Sequence, residues 1–432
     1  MLRAACGRIR ITPPAGVAMG GYGARKAPAA GVHDDLWMTG YLLESASSGL
    51  LYLVVFDLLG LANRDAAAVK AAILGKVGIP PERVMVASTQ THSGPDTLFD
   101  MEESGQIAQY VAGLSTKAAA LAADLSDRLA PAAIGAGSVR VPGHCINRVD
   151  SNGPFDDTVG VVRIDTASGD PMGVLIDYAC HPTVLGAENL LVSRDYCGCV
   201  CDTVAVGLGG RVVVGFAHGA AGNINPATRG GYAEAERMGS ALGAGVMRVF
   251  GEITVSPEAP LGSVLARTTL PLRAIPDIGP ERARNEWNAA VERYERLVAE
   301  NAPRRDCDLA HVEFEYAREA YYIARDYGKL NSLEAELQAF VLGDCALVGF
   351  PGELFIETAL AVRASSPFAH TFVSDITNGF VGYVPPRQYL RPGVYEARLA
   401  RWSLLAEQAE DIVRTELISM LASLSHRLAS RH

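Results

Sequence analysis

The sequence predicts an α/β fold, a mixed β-sheet core flanked by helices, with a helical hairpin insertion and a long C-terminal helix. Three observations carry that expectation. Short apolar runs alternate with stretches of helical periodicity along most of the chain. Of 432 residues 49% are hydrophobic, with 44 Gly and 23 Pro, a composition that excludes collagen, coiled coil and disorder and supports a sizeable core. Charge then becomes dense between Pro280 and Gly328, where apolar residues recur at helical spacing.

Taken in order, Arg8 to Thr12 reads as a strand ended by Pro13-Pro14, and Leu51 to Phe56 as a buried strand. A helix from about Arg64 to Leu74, a strand at Val84 to Thr89 and a helix from about Gln106 to Leu125 follow. Strands are expected at Ala133 to Val141, Val159 to Thr166 and Met172 to Cys180, a helix at Asp195 to Leu208, and a strand at Arg211 to His218. A Gly-rich loop then leads to a helix at Ala233 to Phe250. Trp287, Val291, Tyr294 and Val298, then Tyr316, Ala320, Ile323 and Tyr327, form apolar stripes on two helices joined near Ala302-Pro303. The aromatics of this hairpin either pack it down or line a lid over a site. Strands at Leu333 to Phe340, Cys345 to Phe350 and Thr371 to Asp375, a helix at Glu353 to Arg363 and an amphipathic helix from about Ala397 complete the chain. The expected organisation is one catalytic domain over 1–432 with the hairpin, 278–330, inserted in it.

The 48 Asp+Glu against 38 Lys+Arg give a net charge of −10, which argues against nucleic acid or an anionic membrane as partner. No apolar stretch approaches the roughly 20 residues of a membrane span. The N-terminus lacks an apolar leader core, so a cytoplasmic location is expected. Eight cysteines in a chain of this length make no disulfide framework, and they should stay reduced. Cys197, Cys199 and Cys201 fall on an expected helix, where residues two apart diverge, so packing is preferred to metal binding.

Four polar groups share one topological position, just after an apolar strand: His92, His181, Glu353 and Tyr383. In open α/β sheets ligands bind in the crevice beyond the carboxyl ends of the strands. Neutral imidazoles with a carboxylate suit zinc, which in catalytic sites keeps one position open for water. Taken singly, each has a structural explanation: His181 before Pro182 caps a strand, and Glu353 is a favourable anion in a first helical turn. The stretch His218-Gly219-Ala220-Ala221-Gly222-Asn223-Ile224-Asn225-Pro226 has neither phosphate-loop nor dinucleotide spacing. It is read either as a backbone nest for an oxyanion or as a tight strand-to-helix connection.

Segments spread over nearly the whole chain together resemble the neutral/alkaline ceramidase family. They are Ile11-Thr12-Pro13-Pro14, Gly20-Gly21-Tyr22-Gly23, Gly31 to Leu36, Thr91-His92-Ser93-Gly94-Pro95, Asn147-Arg148, His181-Pro182-Thr183, Gly219 to Pro226, Pro351-Gly352-Glu353 and the Tyr383 to Tyr395 pair. The resemblance implies that family's catalytic α/β domain, without the C-terminal immunoglobulin-like domain of its secreted members. It implies a zinc ion held by two histidines, a glutamate and a tyrosine, which activates water to cleave an N-acyl amide. His181, Glu353 and Tyr383 match three of those ligands. The first ligand histidine belongs to a Thr-His-Thr-His-Ser-Gly-Pro motif, and this chain has Gln90 in its place. By the same resemblance His92 steadies an oxyanion or moves a proton, Tyr395 is a second tyrosine at the site, and Arg148 contacts substrate. Where the family carries Asp-x-Ser-Pro this chain has Asn223-Ile224-Asn225-Pro226, so no serine acyl-enzyme is expected; Asn223, Asn225 and Gln90 join Arg148 as expected substrate contacts.

Gln90 leaves several readings open. An amide oxygen is a poor zinc donor beside imidazole, so the site is weakened, prefers a harder ion or is empty. Alternatively, if the segment is extended, Gln90 and His92 share a face and His92 takes the vacant place; His218 is a further candidate. The expected function is a metal-dependent hydrolase of an amide or ester bond in a small, polar N-acylated compound rather than ceramide. The alternative is a metal-free binding protein, or an isomerase or transferase that reuses the pocket.

Overall fold

The computed structural model describes residues 1–46, 48–99 and 105–430. The chain divides into two compact units, one of Met1–Thr268, Ala335–Phe380 and the stretch from Asp411, the other of Thr269–Glu334 and Val381–Glu410.

In the first unit, eight strands form one mixed sheet. They are β1 (Leu2–Arg10), β2 (Trp37–Ser45), β3 (Gly49–Phe56), β4 (Val84–Ser88), β5 (Ala130–Arg140), β6 (Thr158–Thr166), β7 (Pro171–Tyr178) and β8 (Val213–His218). Their order is β8-β7-β6-β5-β1-β2-β3-β4. The two outermost pairs, β7 with β8 and β3 with β4, are parallel, and every pairing between them is antiparallel. Both edge strands therefore point their carboxyl ends at loops that start helices. Alternation along the strands sorts the side chains: Ala5, Leu42, Tyr52 and Val54 pack under α1 (Asn63–Val77) and α2 (Gly105–Asp127). Their neighbours Cys6, Tyr41, Leu43, Leu53 and Val55 join the opposite core. There they meet Phe340, Leu347 and Phe372 of a second sheet, ordered β9 (Leu261–Pro271), β10 (Ser332–Leu342), β11 (Cys345–Gly349), β12 (His370–Ser374). Helices α3 (Asp195–Gly207) and α4 (Tyr232–Phe250) pack on each other and on the β5 to β8 half of the large sheet.

Most elements fall where the sequence places them, with corrections at five elements. The first strand runs from Leu2, not Arg8, because Ala4, Ala5 and Cys6 are small buried residues that pair with β2 throughout. β2 and β9 were not expected; Gly40 interrupts the first, where an added Cβ would stand 2.8 Å from the Tyr52 hydroxyl, and the second is mostly half-buried with only Leu261 and Leu270 buried, so it shows no apolar alternation. Glu353 is not helical: Glu353–Leu354 is a two-residue strand, and α7 (Ile356–Ala364) starts after it. The C-terminal helix, α8 (Ala409–Ala429), begins well after Ala397, which lies in a 3-10 turn, Tyr395–Ala397.

The second unit contains the expected hairpin, α5 (Pro280–Ala299) and α6 (Arg304–Asp326). Its aromatics pack across the helix pair, Trp287 on Tyr321 at 5.4 Å and Tyr294 on His311 at 5.2 Å between ring centres. Arg401 holds Glu319 in a two-pronged ion pair at 2.7 Å, with Glu319 only 1% exposed. All eight cysteines are free thiols. Among the described residues no helix is long and apolar enough to cross a membrane.

Candidate active site

One short segment closes the first unit's open end. Ser374 bridges to Gly219 at the end of β8, and Thr377 bridges to Ala87 in β4. Between them the Asp375 amide donates to the His218 carbonyl (2.8 Å) and the Ser88 amide to the Ile376 carbonyl (3.2 Å). The edge strands at opposite ends of the sheet order are thus stitched together at their carboxyl ends. Residues far apart in sequence meet there: the His92 and His181 rings are 5.6 Å apart, and the His181 and His218 rings 5.8 Å.

His181 is 1% exposed, and its backbone amide and Nδ1 both donate to the Ile224 carbonyl, the latter at 3.0 Å. A carbonyl only accepts, so Nδ1 carries the proton and Nε2 is left with a lone pair. That lone pair stands 3.0 Å from Glu353 Oε2, itself buried. Two acceptors this close require a cation between them, either a proton or a metal. Burial, aided by the Arg148 charge, holds His181 well below the usual imidazole range and so opposes protonation. His92 is built the same way. Its Nδ1 donates to the Gln90 carbonyl at 2.9 Å, and burial together with His181 pushes its pKa down to about 3, so it is neutral. The Gly20–Arg25 loop, whose role the sequence did not disclose, holds this imidazole. Tyr22 meets its ring edge at 5.3 Å, Arg25 donates to its carbonyl at 2.8 Å, and a Cβ on Gly21 would strike the ring at 2.5 Å.

Gln90 departs from the extended conformation in which it and His92 would share a face. Its φ is +62°, a left-handed turn, and its Oε1 is buried without a hydrogen-bond partner among the described residues. Arg148 is half-buried and donates to the Gly222 carbonyl at 2.8 Å and to Asn225 Oδ1 at 3.2 Å. Asn223 is used structurally: Oδ1 accepts the Ile356 amide (2.9 Å) and Nδ2 donates to Glu357 Oε2 (2.9 Å), fixing the start of α7. The Gly-rich stretch is no open nest either. The amides of Gly219, Ala220, Ala221, Gly222 and Ile224 are bonded to Tyr178, Val373, Asp375, Leu354 and Ala221. Gly222 is required by close approach, since a Cβ there would lie 2.9 Å from the Glu353 carbonyl and 2.8 Å from that of Leu354.

Two buried groups beside this cluster have polar atoms without a hydrogen-bond partner among the described residues. His218 is 0% exposed and neither ring nitrogen is hydrogen-bonded. Asp375 accepts the Ala221 and Leu354 amides at Oδ2, while Oδ1 has no partner, and burial drives its carboxyl far above the usual range.

A family model described as neutral/alkaline non-lysosomal ceramidase, N-terminal, matches residues 4–242, more than half the chain. The chain belongs to the neutral/alkaline ceramidase family. Its fold is similar to the crystal structure of neutral ceramidase from Pseudomonas aeruginosa, with a TM-score of 0.75 at 21% identity, covering 99% of this chain and 75% of that one. A ceramidase complexed with C2 is similar at a TM-score of 0.74 and 18% identity, with the same coverage. No curated protein matches the chain. The ceramidase family is one of amide-bond hydrolases, and a small-molecule substrate goes with membership.

A ceramidase fold implies a metal, and two side chains here fit one. Two donors each about 2.0 Å from a tetrahedral ion stand roughly 3.3 Å apart, close to the spacing of His181 Nε2 and Glu353 Oε2, and the neutral imidazole has its lone pair toward the carboxylate. Among the described residues no group of three or more His, Cys, Asp or Glu side chains is already gathered to hold a metal ion. Tyr383, the third expected ligand, and Tyr395, the second tyrosine expected at the site, lie in the second unit. There Tyr383 is buried and Tyr395 half exposed, their rings 6.1 Å apart, and Tyr395 stacks on Trp402. Tyr395 also lines a cavity of about 560 Å³ with Tyr316, Leu390, Arg391 and Arg398.

Proposed function

We propose that this ceramidase-family chain hydrolyses the amide or ester bond of a small, polar N-acylated compound, using a divalent ion, zinc in the first instance, held by His181 and Glu353. The supporting observation is the His181 lone pair set against the Glu353 carboxylate, both side chains buried, at the strand ends. When bound, the ion supplies Lewis acidity that polarises a carbonyl and acidifies water.

The chain's own residues do the rest. Glu353 balances the charge of the ion, and the Ile224 carbonyl fixes the His181 ring and tautomer. His92, neutral and tethered through Nδ1, keeps Nε2 free to take the proton that water loses and to return it to the departing amine nitrogen, which balances the hydrolysis. The Arg148 guanidinium, steadied by Gly222 and Asn225, orients a polar group of the substrate. Gln90 favours the competing reading, a metal-free binding pocket, which predicts no turnover with any ion.

Amine release is the test, measured with zinc, manganese or cobalt on N-acetyl amino sugars and on short- and long-chain N-acyl sphingosines. Release that is faster on the sugars is expected. Release confined to the sphingosines would overturn the polar substrate, and no release from any compound with any ion would overturn hydrolysis. Tyr383→Phe and Tyr395→Phe, each expected to slow release, test the roles that the resemblance gives those tyrosines.

A further inference from the structure

His218 is the group that the mechanism above leaves unused. A neutral imidazole has one donor and one acceptor, and burying either without a partner costs about 1–3 kcal/mol. His218 has both buried, at 0% exposure, at the carboxyl end of β8. Its backbone is locked, since its carbonyl accepts the Asp375 amide. By the family resemblance Gln90 stands where a ligand histidine is expected, and it offers only an amide oxygen in that place. The chain thus has a weak donor at one strand end and an unemployed imidazole at another.

We propose that His218 supplies the third protein donor of the metal site, with His181 and Glu353, in the place that Gln90 has vacated. This rests on the metal-dependent reading of the site. The spacing is right: two imidazoles bound to one tetrahedral ion at about 2.0 Å have ring centres roughly 5 Å apart, and those of His181 and His218 are 5.8 Å apart at 75°. No three donors are yet gathered among the described residues, so binding requires the His218 ring to turn about its side-chain torsions toward the His181–Glu353 pair. The site would be a His-His-Glu set, one of the ligand combinations of catalytic zinc, reached from a different strand than the Gln90 position.

The test uses zinc alone and reads binding, not turnover. Chelator-treated wild type, His218→Gln, His181→Ala and Gln90→His are titrated with zinc against a competing chelator. Wild type is expected to bind about one zinc per chain. Loss of His218 should weaken binding by more than the roughly 10–100-fold that removal of an outer-shell partner produces. His218→Gln binding zinc like wild type would overturn the assignment, as would a wild type that binds none while Gln90→His does. Should His218→Gln fail to fold, X-ray absorption at the zinc edge of wild type decides, because His181 and His218 give two imidazoles and that count should persist in His92→Ala. A count of one overturns the proposal. Amine release by wild type with another donor at the metal would leave the hydrolase reading standing while this one fails, so the two are separable.

Discussion

His181 shows how much one hydrogen bond decides. Because Nδ1 is spent on the Ile224 carbonyl, Nε2 can only accept, and its meeting with Glu353 becomes a demand for a cation rather than an ordinary ion pair. Asn223 gives the opposite lesson. From sequence it belongs with Arg148 and Asn225 as a substrate contact, yet both ends of its amide are engaged at the start of α7. Asn223→Ala should therefore destabilise the protein by on the order of 2 kcal/mol, since the Ile356 amide loses its buried acceptor. A denaturant titration checks this; a midpoint equal to wild type would show that the bonds to α7 carry no stability. Asn223→Asp keeps the acceptor but sets a carboxylate against Glu357, so it should not restore wild-type stability. The residue types at the site are legible in the sequence, but their hydrogen-bond partners are not. Nothing in Gln90-Thr91-His92 signals a left-handed turn at Gln90, and nothing in the Gly-rich stretch signals that its amides are already bonded.

At the scale of elements, legibility follows burial pattern. Continuous apolar runs such as Val84–Ser88 and Cys345–Gly349 are readable because every residue in them is buried, and α2 and α4 because their apolar faces recur at helical spacing. β2 and β9 escape detection where glycine, threonine and arginine interrupt the pattern and pairing with a neighbour makes the strand. The start of α8 is misleading because Ala397 to Ala406 mixes apolar residues with Arg398, Arg401 and Ser403 as an amphipathic helix would, without being helical. What no local pattern carries is the stitch of Ser374 to Asn378 between β4 and β8. It depends on two left-handed non-glycine residues, Ile376 at φ +50° and Asn378 at φ +65°, and on the Asn378 side chain accepting the Val86 amide at 3.0 Å. The convergence of strand ends follows from fold class; the device that enforces it does not.

For the whole molecule, the interior holds carboxyls that weaken the fold at neutral pH. Asp177, on β7, is 4% exposed, its Oδ2 has no hydrogen-bond partner among the described residues, and burial, opposed by Arg363, pushes its pKa up to about 7. In the unfolded chain an aspartate titrates near 3.9. Between those values the folded state holds the proton and the unfolded state does not, so stability is greatest below about pH 4 as far as this group is concerned and falls as pH rises toward 7. Asp177→Asn should remove that slope and stabilise the protein at pH 7.5 by on the order of a few kcal/mol, because each tenfold change in proton affinity between the two states is worth about 1.4 kcal/mol. Urea unfolding of wild type and variant at pH 5 and pH 7.5 reads it directly, and parallel pH profiles would contradict the assignment. The central claim, that the buried His181–Glu353 pair is the working centre of an amide hydrolase, has a more direct test. Amine release from an N-acyl compound is followed for wild type and for Glu353→Gln, which keeps the shape of the side chain and removes its charge. Release by wild type that drops at least about 100-fold in Glu353→Gln, with unfolding midpoints alike, is the predicted result. Equal release by the two proteins would contradict it.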